Sequence, residues 1–161
     1  MQAGHLPSTP NPDVQAGYSP ATLNPTPLVP RCVIVIDATL PPGKACNAAA
    51  VVALTLGARH PQLVGAPLVD ADGVAHPGLI PFGISVLKAA AADLPQLRAD
   101  ALAKAFDVVD FPVQGQQTKD YSAFRDALRT VATADLAYLA IGVVGENKAL
   151  RKLVSEFDLM Q

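Results

Sequence analysis

The chain has 161 residues, of which half are apolar and 16% are charged, with 12 Lys and Arg against 14 Asp and Glu. This length suits one domain with a core of ordinary depth. The near-neutral charge and the absence of Trp disfavour a nucleic acid as the main partner. The uncharged runs of the domain, such as 45–58, are too short to cross a bilayer.

Residues 1–30 differ from the rest of the chain in composition. They hold seven of the fifteen prolines and one formal charge, Asp13. Proline lacks the backbone N–H and favours turns or polyproline geometry, and no basic start precedes an apolar run as in a secretory signal. We therefore expect a Pro-rich extension, disordered or loosely packed, ahead of one α/β domain over 31–161. The side chains expected to anchor such packing are Tyr18, Leu23, Leu28 and Val29.

Residues 32–37, CVIVID, form a nearly continuous apolar run rich in β-branched side chains. This pattern predicts a central strand that is buried on both faces. A Pro-Pro-Gly-Lys turn follows, and a helix is expected over 44–58, ended by Gly57 and Pro61. A junction of this kind, where the first strand meets the first helix, is where α/β folds usually bind ligands.

The two cysteines are expected to be unbridged. Five residues of strand, about 17 Å, separate Cys32 from Asp37, and Cys46 follows beyond the far end of that strand. A disulfide needs Cα atoms within about 7 Å, so free thiols and a reducing, cytoplasmic setting are favoured. Cys46 in a first helical turn has the setting of a nucleophile, but we interpret it as a small buried core residue.

The middle of the chain carries a hairpin signal and a second strand–helix pair. Asp72-Gly73 between short apolar arms predicts a hairpin. The segment 79–89, LIPFGISVLKA, is expected to be a strand. Asp93 has the position of an N-cap for a helix over 94–105, with Pro95 in its first turn.

The last third repeats the alternation of strands and helices. A strand over 107–113 precedes the polar loop 115–120, and a helix is expected over 121–131. The strand AYLAIGVV, 137–144, leads through Gly145 into a C-terminal helix. Strands that alternate with helices predict a layered α/β domain, to which the hairpin adds antiparallel pairing.

Several motifs resemble known families. The opening VIVIDATLPPGKACNAAAVVA and the ending YLAIGVVGENKALRKLVSEFDLM resemble the type II peptidyl-tRNA hydrolases. The whole of 31–161 is more similar to a related uncharacterised family, domain of unknown function 2000. The similarity lies in the D-x-x-L-P-P-G turn, the N-A-A-A helix start, the D-A-D-G…H-P-G hairpin and the V-L-K-A segment. It implies a three-layer α/β/α domain with a small mixed sheet, commonly a homodimer.

The sequence departs from the active hydrolases in two motifs. Their first helix carries a Lys and, four residues on, a Gln, whereas here Asn47 follows Lys44 after three residues. Their D-A-G-x-T-Q signature is replaced by GQQTKDYSAF. The resemblance therefore leaves the family's reaction, and tRNA as a partner, as alternatives.

Gly43, Lys44 and Asn47 are the first candidates for a functional site. They lie at an expected helix N-terminus, where free N–H groups and the helix dipole favour an anion or a carbonyl oxygen. Lys44 would steady a developing negative charge, and Asn47 would donate to an oxyanion or orient a water molecule. Alternatively, Asn47 caps its own helix and Lys44 is solvated.

Four further residues are candidates for ligand binding, each with a structural alternative. Lys88, in an apolar segment, either reaches a site or extends to solvent. His76 is a candidate base or a hairpin loop residue. Thr118 and Asp120 contact a ligand or cap the following helix. Three His and two Cys show no metal-ligand spacing, so neither a metal nor a cofactor is expected.

Two functions follow as hypotheses. In the first, the protein is a dimeric, non-catalytic module that binds a small anionic or carbonyl ligand at the first strand–helix junction. In the second, it hydrolyses an ester or amide bond, with Lys44 and Asn47 polarising the carbonyl group. Because one fold hosts many functions, the resemblance does not decide between them.

Overall fold

A computed structural model describes residues 30–160. The predicted extension and its four anchor residues therefore lie outside the described residues, except Pro30. The strands are β1 (Pro30–Asp37), β2 (Leu68–Val69), β3 (Ala75–His76), β4 (Ile84–Ala89), β5 (Asp107–Pro112), β6 (Tyr138–Glu146) and β7 (Asp158–Leu159). The helices are α1 (Pro42–Arg59), α2 (Leu94–Ala103), α3 (Gln114–Gln117), α4 (Tyr121–Leu128) and α5 (Asn147–Leu153).

Five strands form a mixed sheet in the order β5-β6-β1-β4-β7. β1 is parallel to β4 and antiparallel to β6, while β6 and β5 are antiparallel, as are β4 and β7. β2 and β3 form a separate hairpin. The α/β class and the mixed sheet are confirmed.

β1 lies at the centre of the sheet, as its apolar run predicts. Its residues from Cys32 to Asp37 are all buried. Val35 lies opposite Leu87 of β4 on one side and opposite Ile141 of β6 on the other. A strand paired on both edges and covered on both faces has only apolar neighbours, which explains why nearly every position is apolar.

Helix α1 covers one face of the sheet. Its buried residues recur at helical spacing and are Ala45, Ala48, Val52 and Leu56. The helix approaches β6 so closely that a Cβ at Gly142 would lie 2.3 Å from a methyl carbon of Val52. Glycine at this position therefore sets the distance between helix and sheet.

Helices α2 and α5 cover the opposite face. Their buried residues pack with Val33 and Val35 of β1. Those residues are Leu94, Leu97, Ala101 and Leu150. An ion pair between Arg98 and Asp110 joins α2 to β5. The sheet thus has one hydrophobic cluster on each face.

The predicted start of α2 at residue 94 is confirmed, whereas its predicted end at residue 105 is wrong. Asp93 belongs to a 3-10 turn that runs into the helix, and its side chain makes no cap hydrogen bond. The helix ends at Ala103 because Ala105 adopts a left-handed φ of 56°. The Phe106 N–H then donates to the Ala101 carbonyl at 3.1 Å, which closes the helix.

The predicted hairpin is confirmed, with Gly73 at a φ of 81° in its turn. Asp70 stabilises the turn by accepting hydrogen bonds from the backbone of Asp72 and Val74, at 3.0 and 2.9 Å. The strand expected from residue 79 starts only at Ile84. Gly83, with a φ of 67°, turns the chain immediately before it.

The last third of the chain contains two elements that the sequence pattern does not reveal. The short helix α3 lies in the predicted polar loop, and β7 adds an edge strand beside β4. β6 continues through Gly145, and α4 ends at Leu128 instead of 131. Both cysteines are free, as expected. Within residues 30–160, no helix combines the length and apolarity needed to cross a membrane.

Candidate functional site

The carboxyl ends of β1, β4 and β5 meet at one edge of the sheet. β1 and β4 are parallel, and β5 shares their direction because both β1 and β5 are antiparallel to β6. Six candidate residues lie at the ends of these strands or in the segments that follow them. They therefore share this edge. They are Gly43, Lys44, Asn47, Lys88, Thr118 and Asp120. His76 lies in the hairpin between the end of α1 and the start of β4.

The N-terminus of α1 offers fewer free donors than expected. Pro41 and Pro42 have no N–H, and the N–H groups of Lys44 and Ala45 donate to the Pro41 carbonyl at 2.9 and 3.0 Å. In this turn, the Gly43 N–H is the donor that has no backbone acceptor among the described residues. The helix begins two residues before the predicted Lys44 because proline is preorganised for a first turn.

Asn47 does not cap α1, since Pro41 occupies the cap position. Its Oδ1 accepts a hydrogen bond from Gln116 Nε2 of α3 at 3.1 Å. The same Nε2 donates to the Lys44 carbonyl at 3.0 Å. A backbone carbonyl can only accept a hydrogen bond, so the Gln116 atom that contacts the Lys44 carbonyl is Nε2. Because Nε2 donates, the Asn47 atom that faces it is the acceptor Oδ1. The Asn47 Nδ2 group is left to donate elsewhere.

A cavity of about 590 Å³ lies beside the first turns of α1, and we call it the junction cavity. It is bounded by the end of β1, by β4 and by the residue after β7, whose N–H donates to the Val86 carbonyl at 3.0 Å. Apart from one thiol, its side chains are apolar. The lining residues are Ile36, Ala38, Leu40, Pro42, Ala45, Cys46, Ala49, Val86 and Met160.

The junction cavity changes the interpretation of Cys46 and of its neighbours. Cys46 is exposed, so the expectation that it is a buried core residue is wrong. Lys44 and Asn47 are also exposed, and they flank the cavity along α1 without lining it. The sequence signal that we missed is the alanine content of α1, because small side chains at 45 and 49 leave the room beside the sheet.

Thr118 and Asp120 line a second cavity of about 450 Å³ between α1, β5 and α4, the loop cavity. Asp120 caps α4 by accepting a hydrogen bond from the Ala123 N–H at 2.8 Å. The Thr118 hydroxyl donates to the Gln114 carbonyl at 2.9 Å. The capping alternative thus holds for Asp120, while Thr118 closes α3.

Lys88 is half-buried and does not line the junction cavity. It lies opposite Ile36 in β1 and opposite Asp158 in β7. It lines another cavity, of about 330 Å³, together with Asp93, Gln96 and Glu156. The structure therefore does not bring Lys88 into one cavity with the start of α1.

His76 is exposed in the hairpin, where its Nε2 lies 3.1 Å from Asp70 Oδ2. The carboxylate thus holds the imidazole against its own turn, away from the start of α1. Within residues 30–160, no three His, Cys, Asp or Glu side chains are arranged to bind a metal ion.

An ion-pair cluster that the sequence did not reveal joins the end of α1 to the start of β5. Asp107 accepts from Arg59 Nε at 2.8 Å and contacts His60 Nε2 at 2.6 Å. The Arg59 guanidinium, with the imidazole beside it, lowers the pKa of Asp107 below its usual value. This cluster lies at the opposite end of α1 from Lys44, so it is a structural feature separate from the candidate site.

Comparison with known proteins agrees with this fold. A solved structure of a protein of unknown function, Atu0240 from Agrobacterium tumefaciens strain C58, superposes with a TM-score of 0.74 at 14% identity. The match covers 82% of this chain and 98% of that one. At this identity the likeness concerns the fold alone. No curated protein matches the chain.

Residues 30–161 match a family described as "Protein of unknown function (DUF2000)". The match spans the whole described domain, from β1 to the C-terminal residue, and it leaves out the Pro-rich extension. The chain therefore belongs to the DUF2000 family.

Proposed function

We propose that the protein binds a small molecule with an apolar body and a carbonyl or anionic end in the junction cavity. The observation that carries this proposal is an apolar cavity of about 590 Å³ at the carboxyl ends of β1 and β4. Small-molecule sites typically measure about 300–1,000 Å³ and are lined mainly by apolar side chains. Their usual place in open α/β sheets is the same edge.

The polar end of the ligand is assigned to the first turn of α1. The Gly43 N–H lacks a backbone partner there, and Lys44 takes part in no ion pair among the described residues. Lys44 is exposed, so its attraction for an anion is screened and contributes about 1 kcal/mol or less. Burial of the apolar body, at about 25 cal/mol per Å², supplies most of the affinity.

The best test is a calorimetric titration with octanoate and its neutral analogue octanamide. Ala49→Leu fills the cavity and removes binding of both, while Ala50→Leu, an exposed neighbour on the same helix, leaves it intact. Lys44→Ala weakens the affinity for octanoate a few-fold, as expected for a screened charge, and leaves the affinity for octanamide unchanged. Binding that survives Ala49→Leu would place the ligand elsewhere.

Hydrolysis of an ester or amide bond is the second candidate function, and the Gln116–Asn47 contact favours it. Because Asn47 Oδ1 is occupied, its Nδ2 can donate to a carbonyl oxygen beside Lys44. A relationship to the type II peptidyl-tRNA hydrolases, with their three-layer fold, belongs to this proposal. Turnover of simple esters or peptidyl-tRNA that disappears in both Lys44→Ala and Asn47→Ala would support it.

A homodimer completes the proposal. Leu54 is 77% exposed and Val51 39% exposed on a helix that carries no charge from 45 to 58. Exposed apolar surface of this kind is typical of protein interfaces. The free thiols support a cytoplasmic protein. The solution mass should be that of two chains and should fall to one in Leu54→Lys, whereas a monomeric wild type contradicts the dimer.

A further inference from the structure

Arg31, near the start of β1, is a half-buried cation without a carboxylate. Its Nη2 donates to the Ser85 hydroxyl at 2.8 Å. Its Nε is buried and has no hydrogen-bond partner, and the ion pairs of residues 30–160 do not include it. A buried N–H without an acceptor destabilises the folded protein, and more so when the group is charged. An anion beside the Arg31 guanidinium would therefore supply the missing acceptor.

Arg31 lines a small cavity together with a second unsatisfied group. The cavity measures about 70 Å³. Asn147, at the start of α5, lines it too, and its Oδ1 is buried without a donor. The remaining lining residues are Pro30, Phe82, Gly83 and Ser85.

The polar groups around this cavity include two available donors and one unpaired acceptor. Arg31 presents its Nε–H, and Ser85, which already accepts from Arg31, retains its own O–H to donate. Asn147 Oδ1 needs a donor in return. A matching ligand has at least two anionic oxygens and one O–H group. The volume exceeds the share of one water in the liquid, about 30 Å³, and suits one tetrahedral oxyanion.

We propose that this cavity is a binding site for hydrogen phosphate. Its anionic oxygens accept from Arg31 and Ser85, and its P–OH donates to Asn147 Oδ1. Lys148 follows Asn147 directly and Arg151 lies one turn further along α5, and these exposed cations attract an anion to this end of the domain.

The site lies at the edge of the sheet opposite to the junction cavity. Arg31 and Ser85 lie near the amino ends of the parallel strands β1 and β4, whose carboxyl ends border the junction cavity. Phosphate and octanoate should therefore bind independently. Ala49→Leu, which fills the junction cavity, should leave phosphate affinity unchanged, so the two proposals can fail separately.

The test compares inorganic phosphate with sulfate, at pH 7 and equal ionic strength, by calorimetry on the full chain. Sulfate has the same shape but no proton to donate to Asn147 at this pH. Phosphate should bind saturably, with sulfate weaker on the order of tenfold or more, the cost of an unpaired acceptor. Arg31→Met should abolish phosphate binding, and Arg125→Met, at an exposed arginine of α4, should preserve it.

Ser85→Ala serves as the second variant in case Arg31→Met fails to fold. It removes one donor and should weaken phosphate on the order of tenfold. If the wild-type protein binds neither phosphate nor sulfate, the cavity holds only water and the proposal is overturned. Equal binding of phosphate and sulfate, or phosphate binding that survives Ser85→Ala undiminished, overturns it as well.

Discussion

The side-chain amide of Gln116 lies 3.1 Å from Asn47 Oδ1 and so connects α3 to the start of α1, 69 residues earlier. The same nitrogen donates to the Lys44 carbonyl. One residue therefore holds both the backbone and a side chain of the segment that the sequence identifies as functional. It orients Asn47 and fixes the position of the turn that borders the junction cavity.

Gln116→Glu should destabilise the protein by about 1–3 kcal/mol at pH 7. The carboxylate would face two acceptors, the Lys44 carbonyl and Asn47 Oδ1, with no proton to offer. Urea denaturation measures the loss, and part of it should return as the pH falls and the new side chain is protonated. Gln117→Glu, at an exposed neighbouring position, should change stability by less than about 0.5 kcal/mol. Equal effects of the two changes would show that the tether is unimportant.

Ala105→Gly should stabilise the protein. Ala105 has a φ of 56°, where a residue with a Cβ is strained by about 1–2 kcal/mol and glycine is not. The gain is partly offset by the greater freedom of glycine in the unfolded chain, so a net gain of about 0.5–1 kcal/mol is expected. Ala99→Gly, at an exposed position in the middle of α2, should cost about 0.5–1 kcal/mol instead. Thermal or urea unfolding of the pair tests this, and a loss in Ala105→Gly would contradict the assigned conformation.

The two thiols should react very differently with Ellman's reagent. Burial raises the pKa of the Cys32 thiol to about 11, whereas Cys46 is exposed. The thiolate is the reactive form, so one thiol per native chain should react at pH 8 and two after denaturation. Octanoate should slow the native reaction, because Cys46 lines the junction cavity. Two rapidly reacting thiols in the native protein, or a remaining native reaction in Cys46→Ser, would be inconsistent with this structure.

Asp107→Asn should lower stability at neutral pH and change its dependence on acid. Arg59 holds the pKa of Asp107 below the usual 3.8. A pKa that is lower in the folded state stabilises the protein above the usual value, and this contribution is lost as the pH falls through the folded pKa. The variant's stability should therefore decline less steeply below about pH 4. Asp126→Asn, which removes an exposed pair with Arg129, is the control and should leave the curve unchanged. If the stabilities of wild type and Asp107→Asn declined equally steeply at acidic pH, the lowered pKa of Asp107 would be refuted.

The sequence correctly predicted those elements that are determined by residues close together in the chain. The β-branched run of β1 and the Asp72-Gly73 turn of the hairpin appear where the sequence places them. The sequence predicts the start of α1 two residues late because Pro41 and Pro42, which are typical of a turn, form its cap and first residue. The end of α2 was missed for a related reason, since nothing in its sequence marks an alanine as the left-handed residue.

The candidate site was only partly predictable, because its walls come from distant parts of the chain. The sequence correctly identified the strand–helix junction as a place of interest. It did not reveal that Met160, beyond a two-residue strand, lines the same cavity as Ala49 of α1, or that Gln116 of α3 orients Asn47. Such contacts depend on the order of strands in the sheet. Residue spacing along the chain carries no information about that order.

The most direct test of ligand binding at the junction cavity is an amide chemical-shift map of the full chain titrated with octanoate. Saturable shifts should be confined to the residues around that cavity, including Ala38, Ala45, Ala49, Val86 and Met160. Shifts concentrated at Thr118–Phe124 in the loop cavity, or scattered over the surface without saturation, would contradict the proposed site.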